Sequence, residues 1–444
     1  MVNQQVFIVQ FCWCNDILRI FQPMKQPEII QNIIKSEPAA SMKKESKKET
    51  NEIVDNKIPG QNSWTEVSQQ KRIDFLRLKT GQTLSHISGD LPDSKPDTLK
   101  GNIEQYIGMT KIPTGIIGPI LVQGKYAKGD FYVPMATSEG ALISSYNRGA
   151  KATRESGGVV SICLLEAIQR APSFKFQTLI EATEFAIWVQ DFIPIFKEIV
   201  KKTSRFAVLT DLKINIEGNV VILIFEYSTG EAAGQNMVTI CTNAICNYII
   251  DQSPIAPIIW FIEGNFSGDK KATVTALNHV RGKKVSAESI IPNKIIKETL
   301  NTTSSKIAQY WITSVIGTVQ SGGIGLQGHF ANGLTAMFLA TGQDVACVAE
   351  AANGITRMEV LANDDLYISV TLPSLVVGTI GGGTWLATQK DCLDILGCSG
   401  PGSARKLAEI MAATILGGEL SIAAAMASHD FVRAHRNLGR SRQK

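Results

Sequence analysis

The sequence predicts an α+β fold, a large and mainly helical domain into which a small ferredoxin-like unit is inserted. Three observations predict it. Between Pro172 and Glu263 the patterns run strand, helix, hairpin, helix, strand. On either side, roughly 100–170 and 264–444, Ala, Gly and Ile recur at helical spacing, in stretches as long as Ser403 to Met426. A chain of 444 residues is long enough for two or three such units.

Residues 1–60 read as an N-terminal extension and linker. Within them the apolar run Val6 to Trp13 is too short to cross a bilayer and is closed by Asp16 and Arg19, with no basic segment ahead of it. Neither a signal peptide nor an integral membrane segment is predicted. From Ile34 to Ile58, Lys, Glu, Ser and Asn dominate, and so few large apolar side chains cannot offset the entropy of ordering. The folded part is expected to begin near Trp64, with 61–170 and 264–444 forming the large domain and 171–263 the small one. Inside the small domain, an extended piece near Phe174 precedes a helix from Leu179 to Val200. Alternating strands Phe206–Ile216 and Val220–Tyr227 flank the turn Glu217-Gly218-Asn219. A second helix, Ala232 to Ile250, leads to the apolar run Ile255 to Ile262.

A net charge of +4 spread along the chain gives no basic surface for nucleic acid. The eight cysteines are scattered, with only Cys12 and Cys14 close together, so neither a zinc-ligand spacing nor a disulfide framework is present. They are expected as reduced thiols in a cytoplasmic setting.

Several segments place isolated polar side chains among Gly and small residues. Glu139 lies in Pro134-Met135-Ala136-Thr137-Ser138-Glu139-Gly140, ahead of a small-residue helix; taken alone, an acid favoured by the helix dipole is the better explanation. Lys270 and Lys271 lie in the loop Gly264 to Lys271, where solvated lysines are the ordinary explanation and an oxyanion stabiliser the functional one. Two glycine clusters, Gly230 to Met237 and Gly378 to Thr384, offer backbone N–H groups to a dinucleotide, although neither follows the G-x-G-x-x-G fingerprint. His435 follows Phe431 in a basic tail, with a surface histidine or a mobile proton donor as the alternatives.

The combination is more specific than its parts. Glu139 in PMATSEG, Asp269 and Lys270 in GNFSGDKK, Asp344 in ATGQD, the cluster GTIGGGT and the late His435 together resemble hydroxymethylglutaryl-CoA reductase of the class I type. IGMTKIPTGIIGPI from Ile107 and GGELSIAAAMAS from Gly417 extend the resemblance over about residues 100 to 444. It implies that a coenzyme A thioester is reduced by two hydrides from two molecules of NADPH. By motif match Lys270 stabilises the alkoxide, Glu139 donates a proton to the aldehyde oxygen, His435 protonates the leaving thiolate, and Asp344 lies near Glu139 and Lys270 and tunes both. The NADP-binding role falls to the inserted unit and the glycine clusters, at Ser204, Arg205, Phe206, Glu231, Ala232, Ala233, Gly234, Gln235, Asn236, Met237, Gly381, Gly382 and Gly383. Arg205 suits a 2′-phosphate. Substrate binding is implied for Ser145, Asn147, Arg148, Lys151, Arg170, Asp269 and Lys271. A homodimer or homotetramer with active sites at the subunit interface is also implied.

The chain departs from that pattern in three places. Glu231 replaces the usual Asp after Gly230, Glu263 replaces a serine, and a lysine expected to bind the substrate carboxylate falls at Thr313 or Ser314. The second and third changes predict a pocket end less welcoming to an anion, hence drift in the acyl group accepted. A sibling reductase with another acyl-CoA, and a silent binding homologue, are the competing readings. Ser441 resembles a phosphorylatable serine near the end of animal members.

Overall fold

The computed structural model describes residues 56–60, 63–92 and 94–428. Its strands are β1 Thr114–Gly124, β2 Lys128–Ala136, β3 Val159–Arg170, β4 Ser173–Lys175, β5 Val208–Glu217, β6 Val220–Ser228, β7 Ile259–Phe261, β8 Gly282–Ile291, β9 Ile355–Val360 and β10 Leu366–Leu375. Helices of eight residues or more are α1 Glu66–Thr80, α2 Leu142–Glu155, α3 Leu179–Asp191, α4 Ile193–Thr203, α5 Gln235–Gln252, α6 Asn293–Leu300, α7 Ser304–Gln320, α8 Phe330–Thr341, α9 Ala387–Ile395 and α10 Ser403–Ala427. The fold is mixed helix and sheet.

Strand β3 organises the pairing. Its first part, Val160 to Ala167, runs antiparallel to β8, and its last three residues pair with β6. The strand order is β7-β4-β6-β3-β8-β10-β9, with β5 on β6, β1 on β3 and β2 on β1. Among the four strands of the 171–263 segment the order is therefore β7-β4-β6-β5, all antiparallel. The turn between β5 and β6 places Gly218 at φ +56, where glycine carries no side-chain penalty. The helix expected over Leu179–Val200 is two helices. Phe192 ends α3, and Pro194, in the first turn of α4, lacks the N–H that an uninterrupted helix would use.

The remainder was expected to be mainly helical, and the structure places six strands there. Strand β8, GKKVSAESII, alternates buried and open positions from Val285 onward, while the last part of β10 is buried throughout. Gly, Ser and Ala within these strands hide the two-residue period from a reading of composition.

Helix α10 is the axis of the core. It is long and apolar enough by composition to cross a membrane, but 83% of its apolar window is buried inside the protein. It crosses α2 at two glycines. A Cβ on Gly149 would lie 1.9 Å from the Gly417 carbonyl oxygen, so the backbones meet directly. Two acids on α10 point inward and are saturated with donors. Glu409 accepts from the backbone N–H groups of Tyr126, Ala127 and Cys163. Glu419 accepts from the N–H groups of Gly328 and His329 and from Thr356 Oγ1, and its Oε1 lies 2.9 Å from His329 Nδ1.

Burial pushes the Glu419 carboxyl upward, but His329 and these backbone donors outweigh it and hold the group below its ordinary value of 4.5. A lowered carboxyl contributes stability above about pH 4.5 and loses it as the pH falls through the folded value. Thermal unfolding of wild type and Glu419→Gln is therefore expected to differ widely at pH 7 and to converge as the pH falls below 4.5. A gap independent of pH would contradict this assignment.

Candidate active site

The loop after β7 carries Lys270, and the turn after α8 carries Asp344. Lys270 Nζ lies 2.7 Å from Asp344 Oδ2. Asp344 Oδ1 also accepts from the Ala346 N–H, so the carboxylate is fixed by its own turn. The hydrogen bond that Lys270 donates to Asp344 raises the ammonium above the usual lysine value, with burial opposing it, so the lysine is cationic at neutral pH. Both side chains are almost half exposed, at 42% and 45%.

Glu139 bonds to a different residue. Its carboxylate accepts from Asn332 Nδ2 at 3.0 and 3.3 Å, and it lines a cavity of about 420 Å³ with Lys111, Thr137, Ser138, Asn332 and Thr335. No hydrogen bond or ion pair among the described residues joins Glu139 to Asp344 or Lys270. The structure thus pairs two of the expected catalytic residues, Lys270 and Asp344, and gives Glu139 a different partner, Asn332. His435 and Ser441 lie outside the described residues, as does most of the expected linker.

The two glycine clusters meet. The N–H groups of Thr379 and Ile380 donate to the Glu231 carbonyl, at 2.8 and 3.3 Å, and Ala232 bridges to Ile380. Gly378 permits this contact, since a Cβ there would lie 2.4 Å from the Ala233 nitrogen. Gly378 N–H in turn donates to Gln343 Oε1, which ties the cradle to the residue before Asp344. Gly381 and Gly382 have positive φ and open space above them, while Gly383 packs against Gly342. Gly234, at φ +85, opens α5 without a side-chain cap, so first-turn N–H groups at Gln235, Asn236 and Met237 have no capping side chain.

Other expected cofactor residues have work within the chain. Glu231 caps α10, accepting from the N–H groups of Gly402 and Ala404, both at 2.6 Å. Gln235 Nε2 donates to Cys347 Sγ. Ser204 Oγ accepts from the N–H groups of Phe206 and Ala207 after α4, and the exposed Arg205 guanidinium lies 5.7 Å from the Phe206 ring centre.

The expected substrate residues divide similarly. Ser145 and Arg148 bond Ser421, and Asn147 Oδ1 accepts from the Gly118 N–H, so all three lock α2 to its neighbours. Lys151 is a surface lysine beside Glu155, and Lys271 Nζ donates to the Asp269 carbonyl. Arg170 and Asp269 are joined to each other at 3.3 Å.

Glu263 has partners within the chain. Its Oε2 is 3.2 Å from Arg170 Nη1 and also accepts from Ser267 Oγ and the Ala171 N–H. Its charge is thus paired with Arg170, which Asp269 shares. Thr313 Oγ1 donates to its own helix, at the Gln309 carbonyl. Sequence reasoning missed Asn332, Arg281 and Glu350. Arg281 bridges Asp269 and the fully buried Glu350. It reads as one more basic residue in HVRGKK, and only the fold brings it to acids 12 and 69 positions away.

A family model described as hydroxymethylglutaryl-coenzyme A reductase matches residues 68–440. The chain belongs to the hydroxymethylglutaryl-coenzyme A reductase family. It is 43% identical over 373 residues to the 3-hydroxy-3-methylglutaryl-coenzyme A reductase of Pyrococcus abyssi, covering 82% of this chain and 91% of that one. The like-named protein of Methanocaldococcus jannaschii is 39% identical over 381 residues, with 85% and 94% covered. For reductase 3 of Solanum tuberosum the identity is 37% over 410 residues, with 88% and 70% covered. The fold is similar to that of the class II reductase of Streptococcus pneumoniae bound to NADPH in open conformations. That match has a TM-score of 0.65 and 20% identity, covering 82% of this chain and all of that one.

Proposed function

We propose that this chain catalyses the NADPH-dependent, four-electron reduction of 3-hydroxy-3-methylglutaryl-CoA to mevalonate and coenzyme A. The observation that carries the reading is the Lys270–Asp344 pair, tied through Gln343 to the glycine cradle within a chain of this family. Lys270 is the charge that meets the developing oxyanion, and Asp344 keeps it protonated and aimed. Glu139, in its own polar cavity, donates the proton to the aldehyde oxygen, and His435 donates to the departing thiolate. Lys111 gives that cavity a cationic side chain, which suits an acyl group ending in a carboxylate.

The residues available fit a dinucleotide. Gly381 and Gly382 leave open backbone, the start of α5 presents free N–H groups, and Arg205 offers an exposed guanidinium for a 2′-phosphate. NADPH held there supplies the hydrides. The strand order β7-β4-β6-β5 with α3, α4 and α5 supports reading 171–263 as a ferredoxin-like NADP-binding domain, and 61–170 with 264–444 as the catalytic and CoA-binding domain. A half-exposed ion pair and an apolar face at Ile312, Ile316 and Val319 on α7 support a homo-oligomer that closes the site between subunits.

Because Glu263 is paired with Arg170, we expect preference for the dicarboxylic acyl group to survive. NADPH oxidation followed with hydroxymethylglutaryl-CoA should exceed that with acyl-CoAs lacking the second carboxylate by about a hundredfold in kcat/KM, the size expected for one buried charge partner. Comparable values would favour the sibling reductase instead.

A further inference from the structure

Lys270 has φ +56, a left-handed conformation that a residue with a side chain keeps only when its surroundings impose it. The lysine has three carboxylates around it: Asp269 next to it in the chain, Glu350 at its backbone N–H, and Asp344. It pairs with Asp344. The other two are already held by one guanidinium, Arg281, whose Nε meets Glu350 Oε2 and whose Nη2 meets Asp269 Oδ1, both at 2.5 Å. Arg281 Nη1 donates to the Gln169 carbonyl at 2.9 Å, and the arginine is 3% exposed. The remaining oxygen of Glu350, Oε1, accepts the backbone N–H of Lys270 itself at 3.3 Å.

We propose that Glu350 is a positioning residue for Lys270. One of its oxygens takes Arg281 and the other takes the lysine N–H, which fixes the left-handed turn and leaves Asp344 as the carboxylate open to the ammonium. This rests on the reading of Lys270 as the oxyanion stabiliser. Beyond Asp269 the pairing continues to Arg170 and Glu263, so the network anchors the loop at Glu263, Ser267, Asp269 and Lys270. Three carboxylates face two guanidiniums, and the acid at the end nearest Lys270 is 0% exposed. Glu350 acts on the reaction only through the lysine it seats.

The test is Glu350→Gln, which keeps the size but has one acceptor oxygen and an amide NH₂, so one donor must face another donor. We expect kcat of thioester reduction to fall about tenfold to fiftyfold while KM for NADPH and thioester stays within about threefold, the signature of an interaction used in the transition state. In an Asp344→Asn background the same substitution should change kcat less than about twofold, because the pair through which Glu350 acts is gone. An unchanged kcat, or equal losses in both backgrounds, overturns the proposal. Should Glu350→Gln fail to fold, Glu350→Asp decides: its shorter carboxylate cannot hold both partners, and an unaltered kcat would refute the role. Absence of thioester reduction by the wild-type protein would refute the proposed function instead. Positioning is then decided by NMR titration of ¹³C-methylated Lys270, which should titrate lower in Glu350→Gln than in wild type, and identical titrations would overturn it.

Discussion

Lys270→Ala is expected to lower kcat by about a thousandfold, roughly 4 kcal/mol of transition-state stabilisation, the upper range for loss of one oxyanion donor. The loss should appear in kcat and kcat/KM together, because the charge is needed only when the carbonyl oxygen becomes negative. Stability should barely change. The side chain is 42% exposed and its ion pair is with a partner 45% exposed, an arrangement worth at most about 1 kcal/mol. Steady-state NADPH oxidation and thermal unfolding of the same preparation check both halves. A folded variant that retains turnover removes Lys270 from the chemistry and with it the reading that organises the site.

The largest expected effect on stability comes from Gly149→Ala. The added methyl would sit 1.9 Å from the Gly417 oxygen and 2.4 Å from its carbonyl carbon, and the obstruction is backbone on both sides. A side chain could rotate away, but two crossing helices must separate, which costs on the order of 3 kcal/mol or more. Helix α2 carries Asn147 and Arg148 and begins just after Glu139, so activity should fall with stability. Gly317→Ala is the control. It lies in α7 with nothing within 4 Å of the added carbon, and relief from helical glycine should stabilise by up to about 1 kcal/mol. Denaturant midpoints of the two variants should therefore move in opposite directions.

The 171–263 segment was legible because its strands obey a two-residue period and a glycine marks the hairpin. What failed there was one helix boundary, where Pro194 breaks a pattern that remains apolar on both sides. The large sheet was illegible for the opposite reason. Strands such as β8 and the end of β10 bury small residues, and composition cannot separate these from a helix packed on all sides. At the site, residues with motif context were found, but their partners were not. Asn332, Arg281 and Glu350 owe their roles to contacts across the fold, and nothing local distinguishes them from surface polar residues. Glu263 likewise has a partner that the sequence does not reveal, an arginine 93 positions away.

The ends of the 171–263 segment are stitched together. Gly264 N–H donates to the Ala171 carbonyl at 2.7 Å, and Ala171 N–H donates to Glu263. The polypeptide therefore enters and leaves through one doorway, and the length of what lies beyond it can change without stretching the rest of the chain. The same doorway is built from Arg170 and Glu263, the far end of the charge network that reaches Lys270. Any swing of the segment about its doorposts works directly on the hinge from which the lysine loop departs.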